Sequence, residues 1–277
     1  MTEAKISGTG GVIVAPGGCG ILDDFGNRVL GSSWGTPSGF VPFGARWSTS
    51  TSPGSTASVS GGEGHLIAPT TSDIAEALID PFLIIPWTVE FDFRVDGSTN
   101  SSEQTLVQVG GSAPPYLVFA FVEPAPDLGV GTQVSMLYTQ TNAYSNPGGV
   151  PTFYGHRSIG PLMAGHSGHM KLSGTNTTAR AEWLLSSGSS GALSEPWRQQ
   201  FGNTASPDPA EHYNNLPMVL ADCWSFDVLH FGTIGGGLHV DNICVTDGAI
   251  ECNLPFAHYG GQALKVIPGH GAVRASD

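Results

Sequence analysis

The clearest pattern in the chain is a strict alternation of apolar and polar residues from Thr88 to Val95. The apolar positions share one face and the charged positions share the other: Val89, Phe91, Phe93 and Val95 against Glu90, Asp92 and Arg94. A period of two over eight residues is typical of a β-strand with one face buried and one face in water. This pattern predicts a strand at the centre of a sheet.

Other short segments carry strand patterns of the same kind. Tyr116–Val122 is apolar throughout, as expected for a strand covered on both faces. The remaining predicted strands are His65–Ile67, Glu76–Ile79, Leu106–Val109, Gln133–Thr139, His169–Leu172, Ala179–Leu185, Ser225–Phe231 and Leu238–Thr246. No alternation of strands with long helical patterns occurs, so the sequence does not indicate a parallel α/β sheet.

Clusters of Gly, Ser, Asn and Pro separate these segments and mark turns. Short strands with such turns at near-regular spacing predict an all-β fold, an antiparallel β-sandwich or jelly roll. The sandwich is expected over residues 21–252, with a polar, Pro-rich excursion at 192–220. Residues 1–20 and 253–277 are expected to form extended N- and C-terminal arms around it.

Composition narrows the range of partners. The chain has 277 residues, 39 of them Gly and 20 Pro, and charged residues make up only 12%. Ten Lys and Arg against 23 Asp and Glu give a formal net charge of −13. Nucleic-acid binding depends on clustered basic residues, and anionic membrane surfaces repel a negative field. Nucleic acid is therefore excluded as a partner, and neutral sugars, metal ions and other proteins remain.

The sequence also sets expectations about compartment and cysteines. No secretory signal is visible at the start, and no apolar run is long enough to suggest membrane insertion. A protein made in a cytoplasm and not exported by the usual route is therefore expected. The four cysteines lack CxxC spacing and are expected to be buried free thiols, with disulfides as the alternative: Cys19, Cys223, Cys244 and Cys252.

Three motifs, in order along the chain, resemble one family. Asp23–Gly35 reads DDFGNRVLGSSWG and is followed by Trp47. It resembles the opening of concanavalin A-like (laminin-G/glucanase-type) sandwich domains, many of which occur in bacteriophage minor tail and other virion proteins. Thr88–Val95 resembles the central strand of that fold, and Leu238–Val245 resembles its closing strand. The resemblance spans roughly residues 20–250 and implies a lectin-like jelly roll.

The family resemblance also raises a glycoside hydrolase as an alternative. Glucanases of this fold carry three carboxylates as E-x-D-x-E on one strand, one acting as nucleophile and one as acid/base. The matching residues here are Glu90, Asp92 and Arg94. Because an arginine takes the third position, we expect a polar patch with an ion pair and no enzyme activity.

Sugar binding requires aromatic rings that stack on the sugar and amides or carboxylates that bind its hydroxyls. Core packing is the favoured alternative for each aromatic ring among the candidates. The candidate glycan-binding residues lie in loop-rich segments and are Trp197, Tyr213, Asn214, Tyr144 and Tyr154. The other tryptophans lie in or beside strands and are expected in the core.

Metal binding has two candidates in the sequence. Asp241 and Asn242 are candidate ligands for calcium, with a bond from Asp241 to backbone amides as the favoured alternative. His166 and His169 lie in a Gly/Ser-rich stretch, where a solvated turn is expected rather than a metal site. We therefore expect no required cofactor, with Ca²⁺ as the one open option.

Three functions compete on this evidence. The sequence favours a bacteriophage virion structural protein, either a minor tail protein or a capsid decoration protein, made in the host cytoplasm. Its terminal arms would contact other virion proteins in a homo-oligomeric particle, and its loops would contact host-surface glycans in host attachment. A carbohydrate-binding module is the alternative, and a glycoside hydrolase is the less favoured one.

Overall fold

Two large antiparallel sheets form the structure, a computed structural model, and their inner faces enclose one core. The structure describes residues 20–26, 28–39, 45–81, 83–96, 104–110, 116–122, 135–140, 157–160, 165–199, 216–217, 219–222, 224–247, 257–259, 262–267 and 271–274. Within these ranges every regular element is a strand, which confirms the predicted all-β sandwich. In the same ranges no helix is long and apolar enough to cross a membrane.

Strands are numbered in chain order. The larger sheet has eight: β1 (Gly20–Asp23), β3 (Thr56–Ser60), β4 (Glu63–Ile67), β7 (Trp87–Asp96), β12 (Ser167–Gly174), β13 (Thr178–Leu185), β14 (Ser190–Pro196) and β19 (Gly237–Asp247). Their order is β14-β13-β12-β7-β19-β4-β3. β1 pairs with the far half of β19, beyond the stretch that pairs with β4. Thus β7 and β19 lie at the centre of the sheet.

The second sheet has seven strands: β2 (Ser48–Thr51), β5 (Ile74–Ile79), β8 (Gln104–Gly110), β9 (Tyr116–Val122), β10 (Ser135–Gln140), β11 (Arg157–Gly160) and β18 (Val228–Ile234). Their order is β11-β10-β9-β8-β18-β5-β2. Two short pairs are separate, β6 (Leu83–Ile84) with β17 (Ser225–Phe226) and β15 (Arg198–Gln199) with β16 (Leu216–Pro217). The predicted strand Ser225–Phe231 is therefore two strands, broken at Asp227.

The segment predicted as a C-terminal arm contains three strands rather than an extended chain. They are β20 (Ala257–Tyr259), β21 (Gln262–Ile267) and β22 (Gly271–Arg274), which pair in order as a small antiparallel sheet. Alternation of period two is weak in this stretch, so the sequence pattern does not reveal it. The N-terminal arm, apart from Gly20, lies outside the described residues.

Aromatic rings from both sheets fill the core. Phe91 on β7 meets Phe231 on β18 edge-on, with ring centroids 5.1 Å apart. Two tryptophans lie over glycines of neighbouring strands, and a Cβ at Gly191 would stand 2.2 Å from the Trp183 ring. A Cβ at Gly174 would stand 2.6 Å from the Trp87 ring. These glycines leave the space that the rings occupy, and they lie within strands rather than in turns.

The opening motif folds around a fully buried carboxylate, that of Asp23. Its Oδ2 accepts hydrogen bonds from Arg28 Nη2 and from Trp47 Nε1, the latter at 2.7 Å. Its Oδ1 accepts from the amide of Phe25 and from both the amide and the hydroxyl of Ser38. A charged group without water requires such partners. The family-like motif is thus a structural element in this chain.

The side chains around Asp23 also build the aromatic end of the core. Trp34 packs edge-on against Phe25 at 5.0 Å and against Trp47 at 4.8 Å between ring centroids. Both tryptophans also contact Phe231 of the second sheet, at 6.0 Å. The Arg28 guanidinium lies 4.9 Å from the centre of the Phe25 ring, a cation–π contact. The motif therefore ties the two sheets together.

One cysteine departs from the expected free thiols. Cys244 on β19 is disulfide-bonded, which makes the free-thiol prediction wrong for this residue. The other three cysteines lie outside the described residues. Spacing alone did not reveal the pairing, because disulfide partners are set by the fold rather than by distance along the chain.

We predict that Asp23→Asn lowers the free energy of unfolding by about 3–5 kcal/mol, because Arg28 loses its charged partner in a site without water. Chemical denaturation measures the change. Asp24→Asn is the matched control, since Asp24 is only partly buried and its carboxylate interacts with the Ser38 side chain and the Gly26 amide at the protein surface. An equal loss in both variants would contradict the structural role of Asp23.

His230 gives the fold a pH dependence. Burial lowers the pKa of His230 to about 4, whereas the unfolded chain has a histidine pKa near 6.5. Below pH 6.5 the unfolded state binds more protons, so stability falls as the pH drops from about 6.5 to about 4. We predict a loss of up to about 3 kcal/mol from this group.

His230→Phe should remove that slope in denaturation curves collected between pH 7 and pH 4. Glu76 of β5 lies 3.8 Å from His230, and burial raises its pKa, so its titration acts in the opposite direction. The difference between wild type and variant isolates the histidine. An unchanged slope in His230→Phe refutes the prediction.

Candidate functional site

The outer face of the eight-stranded sheet carries a continuous set of charged side chains. β7 supplies its centre: its inner residues are buried and its outer residues reach solvent, as the alternation predicts. Glu90 and Asp92 are 29% and 49% exposed, respectively. The predicted polar patch on an outward face is confirmed.

Neighbouring strands place complementary groups beside these carboxylates. His169 on β12 pairs in register with Asp92, and its Nδ1 lies 2.9 Å from Asp92 Oδ1. Lys171 pairs in register with Glu90, with Nζ 3.1 Å from Oε1. His169 thus lies in a strand, not in the solvated turn that the Gly/Ser context suggested.

A β-bulge shapes the other side of the patch. Between Asp241 and Cys244, β19 has one residue more than β7, and Asn242 has a φ of +49°. Asparagine tolerates this left-handed conformation better than most residues. The Asn242 amide nitrogen Nδ2 donates to Asp92 Oδ2 at 2.8 Å and to Asp241 Oδ2 at 3.2 Å. The bulge therefore brings three oxygen-bearing side chains together.

Negative charge is concentrated at this point. Burial raises the pKa of Asp241, and the carboxylates of Asp92, Glu63 and Asp24 raise it further. The backbone N–H of Asn242 donates to Asp241 Oδ1 at 2.7 Å and acts in the opposite direction. The favoured prediction, that Asp241 bonds a backbone amide, is confirmed, and the same residue also faces Asp92 across the sheet.

Arg94 follows Asp92 by two residues, at the position that the family resemblance matches to a third carboxylate. Its guanidinium contacts Asp96 at 2.6 Å and Glu63 at 3.5 Å. The ion pairs of Glu90 are instead with Lys171 and His169. The expected ion pair exists, but Arg94 makes it with partners outside the E-x-D-x-E positions.

The one aromatic candidate among the described residues, Trp197, does not lie on this face. Trp197 is fully buried, donates from Nε1 to the Thr175 carbonyl at 2.7 Å, and packs on Phe226 at 5.5 Å. A ring without a free face cannot stack on a sugar, so Trp197 is a core residue and its prediction as a glycan contact is wrong. The other candidates lie outside the described residues: Tyr144, Tyr154, Tyr213 and Asn214.

Sequence reasoning missed two histidines on the same face. His65 of β4 and His239 of β19 lie directly opposite each other, 174 positions apart in the chain. Glu63 precedes His65 by two residues and shares its face. The only signal in the sequence was this Glu-Gly-His spacing, which has the period of a strand. Gly64, between Glu63 and His65, packs under the rings of Phe25 and Trp34. A Cβ on this glycine would stand 2.7 Å from each ring.

Comparison with solved structures shows what this architecture is similar to. The metal-free exoplasmic/lumenal domain of VIP36 matches with a TM-score of 0.51 at 9% identity, over 83% of this chain and 92% of that domain. Its Ca²⁺/Man3GlcNAc-bound form gives 0.49 at 9% identity, over 74% and 85%. Lotus tetragonolobus seed lectin gives 0.43 at 8% identity, over 72% and 92%.

No protein-family model and no curated protein sequence matches the chain. At 9% identity, the likeness to the metal-free VIP36 domain speaks for the fold alone. In this chain, Asp23, Phe25 and Trp34 of the opening motif are buried in the core, and the central and closing motifs lie in β7 and β19. The chain therefore has the concanavalin A-like fold of the lectin sandwiches.

Proposed function

We propose that this chain is a carbohydrate-binding domain and that it binds neutral glycans on the outer face of its eight-stranded sheet. The observation that carries the proposal is the cluster of Asp92, Asp241 and Asn242 at the bulge. Carboxylates and amides that reach solvent on a rigid sheet can accept and donate the hydrogen bonds of sugar hydroxyls. The net charge of −13 favours neutral over anionic glycans.

Calcium fits the same three residues. It prefers carboxylate and amide oxygens, and the pKa of Asp241, raised partly by neighbouring carboxylates, marks a concentration of negative charge that a divalent cation would neutralise. Asp92 and Asp241 would hold the ion, joined by the side-chain oxygen of Asn242 once its amide turns over, since Nδ2 is the atom that now faces both carboxylates. When bound, calcium would supply positive charge and coordination positions to sugar hydroxyls. VIP36, which has a similar fold, is described in a Ca²⁺/Man3GlcNAc-bound form.

Two further features concern the compartment and the partners of the protein. The disulfide at Cys244 supports a place in oxidising surroundings, where disulfides persist and glycans are displayed. The role in a bacteriophage virion, with its arm-mediated partners and homo-oligomer, rests on the family resemblance alone. We therefore prefer the carbohydrate-binding domain.

We predict that the protein binds neutral glycans on a glycan array in the presence of Ca²⁺. Asp92→Asn and Asp241→Asn should each weaken that binding about tenfold or more, since each removes a charged hydrogen-bonding group worth about 1.5–3 kcal/mol. Titration calorimetry with a glycan identified on the array provides the affinities, with Ca²⁺ and with a chelator.

Glu182→Gln is the matched control, because Glu182 lies exposed on β13 and pairs with Arg180 at 3.0 Å, away from the bulge. It should leave glycan affinity unchanged. Absence of binding to every neutral glycan with Ca²⁺ present would overturn the proposal. So would full affinity in both aspartate variants.

A second prediction concerns catalysis. Because Arg94 replaces the third carboxylate, incubation with β-glucan or xylan should release no reducing ends. Release of reducing ends that Glu90→Gln abolishes would contradict this prediction and favour a glycoside hydrolase.

A further inference from the structure

The structure assigns a zinc-binding site to Glu63, His65 and His239, separate from the three residues at the bulge. β4 presents Glu63 and His65 on the same outer face, two residues apart. β19 presents His239 directly opposite His65 in the antiparallel register. Two paired strands of a sheet thus hold three potential ligands in fixed positions.

The distances suit one small metal ion. A ligand atom from each of the three residues lies within 4.8 Å of the others. Glu63 Oε2 is 3.2 Å from His65 Nε2 and 3.7 Å from His239 Nδ1. Ligands at 2.0–2.2 Å around a tetrahedral zinc ion are separated by about 3.4 Å. Zinc can therefore be accommodated with small side-chain adjustments.

The state of His239 is an independent indication of a ligand. Its side chain is only 5% exposed, yet its Nδ1 is a buried nitrogen without a hydrogen-bond partner, aimed towards Glu63. Buried polar atoms in native structures rarely lack a hydrogen-bond partner, and an unmatched one can mark the place of an ion. A metal ion bound to Nδ1 would satisfy it.

A second carboxylate fixes the ring of His239. Its Nε2 is hydrogen-bonded to Asp96 Oδ2, so the proton belongs on Nε2 and the lone pair on Nδ1 points to the site. Metal-bound histidines commonly donate their other N–H to a carboxylate in this way. Asp96 would thus orient the ligand without binding the metal.

The donor set selects the class of metal. Two imidazoles and one carboxylate suit zinc, whereas calcium and magnesium prefer oxygen ligands alone. Arg94 places one positive charge beside Glu63 and Asp96. The two carboxylates carry two negative charges, so these three groups keep a net negative charge. Three protein ligands leave a fourth coordination position for water, and Glu63, which is 39% exposed, makes the site accessible from solvent.

The test uses the full, untagged chain, stripped with a chelator and dialysed. Metal analysis and calorimetry with Zn²⁺ should show one high-affinity ion per chain, and Co²⁺ should give the visible absorption of a tetrahedral site. Millimolar Ca²⁺ should not displace the zinc, which distinguishes this site from the bulge.

Variants decide the assignment. His65→Gln should weaken zinc binding about 100-fold, and Asp96→Asn about 10–100-fold through the orientation of His239. Glu63→Gln changes an exposed residue and should fold normally while losing affinity. His169→Gln, a histidine on the same face beside carboxylates, is the matched control and should bind as wild type. Absence of zinc binding in wild type, or wild-type affinity in His65→Gln and Glu63→Gln, would overturn the assignment.

Discussion

A carboxylate without access to water governs one end of this sandwich. Asp23 is fully buried and accepts five hydrogen bonds from a short loop, a tryptophan and an arginine. A buried charge is tolerated only when its partners are all in place. The loop from Phe25 to Ser38 and the entry to β2 at Trp47 must therefore reach their positions together, and with them the aromatic contacts that join the sheets.

The packing around Asp23 also affects the outer face of the larger sheet, because it fixes the position of β4. Phe25 and Trp34, held by the Asp23 network, press on Gly64, and Gly64 separates Glu63 from His65. The described tryptophan and phenylalanine side chains of both sheets lie in the core, whereas the carboxylates of Glu63, Glu90 and Asp92 lie on the outer face of the larger sheet. A glycan that binds there would meet mainly carboxylates, amides and imidazoles from the sheet itself.

Local alternation was enough to predict β7, its two faces and the all-β class, because burial on one side of a strand leaves a period-two pattern. The three family-like motifs, taken in their order along the chain, also predicted the concanavalin A-like sandwich. Sequence could not place His65 opposite His239, since register between distant strands is set by the whole sheet. It also left Trp197 open as a glycan contact, although that ring fills a core position beside Phe226, as the favoured alternative of core packing has it. Side chains in loop-like sequence carry no periodic signal that would reveal their burial.

The extra residue in β19 forms the bulge, and the pairing of β19 with β7 resumes beyond it. Before the bulge, Leu238 and Val240 point to the core, and beyond it Val245 pairs with Val89 while Cys244 pairs with Glu90. Loss of one residue between Asp241 and Cys244 would leave the pairs on both sides in place, because Asp92 and Glu90, their partners on β7, are two positions apart. It would remove the bulge and, with it, the left-handed conformation that puts the Asn242 amide beside Asp92 and Asp241. A deletion of one residue here would therefore keep the later contacts of the strand and remove the amide from the cluster at the bulge.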